Sequence, residues 1–123
     1  PLLPCQQLFT NRPQPAYLGC EPAPVALHSR IQALAVQSIT ALGRATDSRA
    51  HGWVGVDMIL GSHDDGRDDR VLEIDPRLTT SFVGLSRGQQ DGLLGPLLNH
   101  IRGKPIRLAP WNKESCTFSL VSK

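Results

Sequence analysis

Apolar positions along this chain come in short bursts separated by proline-, glycine- and acid-rich stretches. Residues 2–10 predict a short strand. Pro4 favours a sheet edge there, because proline offers no N–H to a neighbouring strand. Residues 11–24 contain Asn11, Pro13, Pro15, Gly19, Pro22 and Pro24. That density predicts mostly turn and loop, with one short extended piece at Tyr17-Leu18. Residues 25–42 then switch to a helical period. Leu27, Ile31, Leu34 and Leu42 mark an apolar stripe, with Ala35 and Ile39 beside it. Pro24 suits the first turn and Gly43 the position just past the end. Arg30, Gln32 and Gln37 are expected to face water.

The middle of the chain predicts a hairpin. Residues 52–60, Gly-Trp-Val-Gly-Val-Asp-Met-Ile-Leu, read as a strand that is apolar on both faces except at Asp57. Residues 61–69 form a polar turn, and 70–75 a second strand, which implies antiparallel pairing. Strand side chains alternate, so Glu73 and Asp75 point one way and Leu72 and Ile74 the other. Register decides whether Asp57 comes level with Glu73 or with Asp75. Further on, Leu93, Leu94, Leu97, Leu98 and Ile101 predict a second helix over 87–102, bent by Gly92, Gly95 and Pro96 and stopped at Gly103. Residues 105–109 and 115–121 are expected as closing strands. No repeat or low-complexity tract occurs. The implied fold class is α+β, a mostly antiparallel sheet with helices on one face.

Composition narrows the function classes. The chain has 123 residues, is 40% hydrophobic and 20% charged, and so fits one globular domain or a piece of one. With three Phe, two Trp and one Tyr, the core is expected from Leu, Val, Ile and Ala. A net charge of +2 and the lack of a basic run with interleaved aromatics argue against a nucleic-acid partner. No apolar run is long enough for a membrane span, and no signal peptide is seen, so a membrane partner is not expected. Cys5, Cys20 and Cys116 are widely spaced and odd in number, which predicts reduced thiols in a cytoplasmic protein. Pro1 opens directly into an apolar segment, where a domain boundary is ordinarily polar. The chain is therefore expected to be the carboxyl part of something larger.

The candidate chemistry lies at the ends of the two hairpin strands. Two acids on one strand face repel unless a cation neutralises them. Surface ion pairs with Arg70 or Arg77 are one remedy. A divalent metal held by Asp57, Glu73 and Asp75 is the other, and three acids on adjacent strands followed by Pro76-Arg77 favour it. Thr79, Thr80 and Ser81 read either as a strand-exit loop bonding its own backbone or as substrate contacts, with Thr80 and Ser81 the candidates. Residues 63–69 lack the spacing of a calcium loop and read as a solvated turn. His28, His51 and His100 have no ligand spacing.

The pairing of residues 52–60 with Val-Leu-Glu-Ile-Asp-Pro-Arg-Leu-Thr-Thr-Ser (71–81) resembles the carboxyl-terminal lobe of the ATP-grasp superfamily. Tyr17-Leu18-Gly19, the helix after it, and Thr-Ser-Phe-Val-Gly-Leu (80–85) fit as well. The look is nearest to tyramine–glutamate ligase and related carboxylate–amine ligases, over roughly residues 1–102. The resemblance implies that ATP phosphorylates a small carboxylate and that an amine then attacks the acylphosphate to give an amide. It implies Mg²⁺ (or Mn²⁺) held by Asp57, Glu73 and Asp75, with Glu73 bridging two ions. Arg77 is implied as the catalytic group that steadies the transferring phosphate. Asp75 stands where the family most often has Asn. The nucleotide-binding lysines and adenine hinge of the family lie upstream of the matched segment. Residues 1–123 are therefore expected to be a partial ATP-grasp domain that needs the missing amino-terminal part. The rival expectation is a truncated, non-catalytic module with a binding or assembly role.

Overall fold

The computed structural model describes residues 1–120. Its elements are β1 (Cys5–Phe9), β2 (Tyr17–Pro22), a 3-10 turn (Val25–Leu27), α1 (His28–Thr46), β3 (Gly55–Ile59), β4 (Arg70–Asp75), α2 (Thr80–Arg87), α3 (Leu94–Ile101), a second 3-10 turn (Lys113–Cys116) and β5 (Phe118–Ser119). The fold is α+β. All strand pairings among the described residues are antiparallel, in a three-stranded sheet ordered β1-β2-β5 and a two-stranded sheet of β3 and β4.

β1 lies at an edge, as Pro4 predicts. The extended piece expected at Tyr17-Leu18 runs on to Pro22 and becomes the central strand of its sheet. Gly19 makes this possible. Its φ is +144°, and a Cβ there would collide with the carbonyl of Phe118 on β5.

The helix expected over 25–42 starts as a 3-10 turn and continues to Thr46. Gly43 is not its stop. It sits inside the helix so that the Ser48 carbonyl can fold back over it, where a Cβ would lie 2.8 Å from that oxygen. Asp47 ends the helix with a left-handed φ of 48°, and Ser48 N–H bonds the Gly43 carbonyl at 3.1 Å.

The helix expected over 87–102 is two helices, α2 and α3, and α2 begins seven residues earlier at Thr80. Two glycines interrupt the pattern. Gly88 passes so close to the Cys116 thiol that no side chain fits, and Gly92 takes a φ of +67°. Pro96 then falls in the first turn of α3, where its missing N–H is no loss. Residues 105–109 form no strand. Pro105 and Pro110 bracket them, and they pair with neither sheet. Of the closing strand expected over 115–121, Phe118–Ser119 pairs with β2 among the described residues, and Leu120 N–H donates to the Leu18 carbonyl at 2.8 Å. Val121 lies outside the described residues.

The core differs from the aliphatic one expected. Leu85, Leu93 and Cys116 form its buried centre, with Leu2, Leu3, Cys5, Trp53, Phe82 and Trp111 packed around them. Trp53 and Phe82 meet edge to face, centroids 5.0 Å apart. Cys20 and Ala23 complete the buried apolar set.

Arg30 does not face water as expected. From α1 its Nε donates to Asp69 Oδ2 at 2.8 Å and its Nη2 bonds both Asp69 Oδ1 and the Gly61 carbonyl. Gly61 N–H also donates to Asp69 Oδ1, at 2.8 Å. One guanidinium thus closes the hairpin turn and ties it to α1. Gln32, also expected in water, donates to the Leu2 carbonyl. No described helix is long and apolar enough to cross a membrane.

The Arg30 guanidinium holds the Asp69 carboxyl below its usual range. A depressed folded-state pKa stabilises the fold above the unfolded pKa, and that contribution is lost as pH falls through the folded value. Asp69→Asn should therefore lower the thermal midpoint at neutral pH, with the gap to wild type closing below about pH 4. In the core, Leu85→Ala should cost about 2–5 kcal/mol in chemical denaturation.

Candidate functional site

β3 and β4 set the site through their register. Asp57 faces Glu73 directly, and Gly55 faces Asp75. Register shifts between Asp57 and Met58, because Met58 pairs with Val71 and Leu72 is left out as a bulge. Bulges re-aim neighbouring side chains. Here one sits beside the Asp57–Glu73 pair. Gly55 is small because Thr79 crosses it. A Cβ at Gly55 would lie 2.6 Å from Thr79 Cγ2.

Asp57, Glu73 and Asp75 each offer a carboxylate oxygen, and these oxygens all lie within 4.8 Å of one another. Glu73 is exposed, whereas Asp57 and Asp75 are half-buried. Like charges at this spacing repel by roughly 1 kcal/mol per pair even under bulk-water screening. Among the described residues, the ion pair that reaches the trio is Arg77 Nη2 to Asp75 Oδ2 at 2.9 Å. One cation against three anions leaves the cluster under-neutralised. Three hard oxygens converging on one point match the donor preference of Mg²⁺ or Mn²⁺.

The hydroxyls expected in a strand-exit loop stand instead at the start of α2, with Thr79 capping it in extended conformation. They bond to side chains. Thr79 Oγ1 is 2.8 Å from Ser81 Oγ and accepts the Trp53 indole N–H at 3.3 Å. Thr80 Oγ1 is 2.9 Å from the Tyr17 hydroxyl. Sequence reasoning gave Tyr17 and Trp53 no part in this network. Their signal was present, since both lie in the segments that carried the resemblance. Burial raises the Tyr17 phenol above its ordinary pKa, and nearby Asp57 adds to the rise, so Tyr17 keeps its proton.

Asp57, Asp75, Arg77, Thr80 and Ser81 share the wall of a cleft of about 1240 Å³, and Glu73 lies outside that lining. Its other side is apolar and includes Ile31, Ala35 and Ile39 of α1. The histidines take no part in the trio. His28 Nε2 bonds the Ala23 carbonyl, His51 stacks on His100 with centroids 4.9 Å apart, and His63 pairs with Asp68 in the polar turn.

A family model described as an ATP-grasp domain matches residues 1–81. The chain belongs to the ATP-grasp family. Comparison with curated proteins and with solved structures gives no match. ATP-grasp domains generally use ATP with Mg²⁺ or Mn²⁺ and are generally ligases, so this one is an ATP-binding, ligase-type module. The match takes in β1 to β4 and stops just inside α2. All three acids and Arg77 fall within it.

Arg77 is 65% exposed at its side chain, and exposed pairs contribute little to folding. Arg77→Ala should change unfolding stability by less than about 1 kcal/mol. A larger loss would show that the ion pair with Asp75 is structural.

Proposed function

We propose that this ATP-grasp domain is the metal- and ATP-binding portion of a carboxylate–amine ligase, of the branch that includes tyramine–glutamate ligase. The observation that carries it is the convergence of Asp57, Glu73 and Asp75, of which Asp57 and Asp75 line a cleft together with Arg77. Glu73 stands between the other two acids, opposite one and two residues from the other. That central place suits the bridging role. Mg²⁺ or Mn²⁺ there would supply neutralisation of the ATP phosphates.

ATP then gives its terminal phosphoryl group to a small carboxylate, forming an acylphosphate. An amine attacks the acyl carbon, phosphate leaves, and an amide remains. Transfer of this kind depends on positioning and charge more than on covalent help. Arg77, exposed and paired through Nη2 with Asp75, can turn its planar fork to the transferring phosphate. Thr80 and Ser81, along the same wall, are the proposed substrate contacts.

Residues 1–123 are read as the carboxyl-terminal portion of the domain, its nucleotide-binding half lying outside them. The support is α1. It spans 19 residues with no buried side chain, and Val36 and Leu42 are 48% and 46% exposed. A helix with an apolar stripe normally buries it.

Mn²⁺ titration of the protein with ATP present should show saturable binding, weakened at least about tenfold by Glu73→Ala, or ~1.4 kcal/mol. Absence of binding with ATP present would favour a non-catalytic, assembly-type module. Assayed alone with ATP, Mg²⁺, carboxylate and amine, the 123-residue chain should release no phosphate above background. Turnover by that chain would overturn the assignment of the nucleotide-binding half to residues outside it.

A further inference from the structure

Cys5 and Cys20 lie outside the acid trio, on paired strands. Cys5 stands opposite Pro22, and Gln7 opposite Cys20. An offset of two residues preserves the alternation, so both thiols share one sheet face as diagonal neighbours. The Cys5 thiol donates to the Leu3 carbonyl at 3.8 Å, and each thiol is the largest influence on the other's titration. Both belong to the lining of the cleft that Asp57 and Asp75 also line, Cys5 half-buried and Cys20 buried. Neither is in a disulfide.

The two thiols are chemically unequal. Hydrogen bonds from Cys5 first, and then from Tyr17 and the Phe118 backbone, lower the Cys20 thiol to about 6 against the opposing effect of burial. Cys5 is pushed the other way, by its bond to Cys20 and by burial. Within the pair the negative charge is favoured on Cys20 and the proton on Cys5. That is the division between an attacking and a resolving cysteine. Cys116 is a poor third party. Its thiol is raised by burial, and its Sγ donates to the Asn112 carbonyl at 3.3 Å.

We propose that Cys5 and Cys20 form an oxidisable dithiol, in which a hydroperoxide closes a disulfide between β1 and β2. The Cys20 thiolate attacks one peroxide oxygen. The O–O bond breaks, and hydroxide leaves and takes up a proton, so Cys20 becomes a sulfenic acid. The Cys5 sulfur then attacks the Cys20 sulfur. The S–S bond forms as the S–O bond breaks, and a second water carries off the Cys5 proton. Two thiols lose two electrons, and one hydrogen peroxide is reduced to two waters. β1 is an edge strand, held on one side only, which gives it room to adjust to the bond.

The test uses the full chain, fully reduced and then treated with equimolar hydrogen peroxide. Free thiols are capped with N-ethylmaleimide, and the protein is cut with chymotrypsin without reductant. Cleavage after Phe9 and Tyr17 separates the two cysteines. Mass spectrometry should find the Cys5 and Cys20 peptides joined, two hydrogens lighter than their sum, with Cys116 capped. Cys116→Ser should leave the yield of that species unchanged. In Cys5→Ser, dimedone should label Cys20 instead. Cys20 joined to Cys116, links only between chains, or capped Cys5 and Cys20 after peroxide would each overturn the proposal.

Discussion

A single guanidinium decides where the hairpin of β3 and β4 stands. Arg30 reaches from α1 to the turn between those strands, takes both oxygens of Asp69, and bonds the Gly61 carbonyl as well. The pair is well shielded, with side-chain exposures of 18% for Arg30 and 5% for Asp69. A planar fork on a carboxylate fixes orientation as well as distance. The far end of the hairpin carries Asp57, Glu73 and Asp75, so the direction of that end follows from the grip on the near end. The trio's spacing is a local matter of register. The place of Asp57 and Asp75 on the wall of a cleft that α1 also lines depends on this clamp.

Much of the trio was legible because strand geometry is strict. Two residues apart means one face, and a polar turn between two apolar runs means antiparallel neighbours. Glu73 and Asp75 followed from the first rule, and Asp57 from the second. Whether Asp57 met Glu73 or Asp75 was not legible. That depends on the bulge at Leu72, and nothing in a leucine announces a bulge. Arg30 was misplaced for a related reason. A charged residue on an amphipathic helix belongs in water by periodicity alone, and its partner lies 39 residues away in a turn rich in other acids.

Glycines account for most of the misjudged boundaries. Gly43, Gly88 and Gly19 all stand where another part of the backbone or a thiol comes too near for a side chain. From sequence, a glycine after a helical pattern reads as a stop, and one in a proline-rich stretch reads as a loop. Close approach between distant segments is a tertiary fact, and it overrides both. The core shows the same limit. Cys116 and Cys20 take central places because small, soft side chains fit where β2, α2 and the closing turn crowd together.

The bulge at Leu72 splits the hairpin into two independently phased halves. From Gly55–Asp75 to Asp57–Glu73 the alternation runs in one phase, and from Met58–Val71 to Ile59–Arg70 it restarts in another. In an unbroken ladder, gaining or losing one residue would invert every side chain beyond it. A bulge absorbs such a step. The stretch from Gly61 to Asp69 is therefore the part of the hairpin that can change length over evolutionary time, provided Asp69 still meets Arg30, while the carboxylates keep their positions.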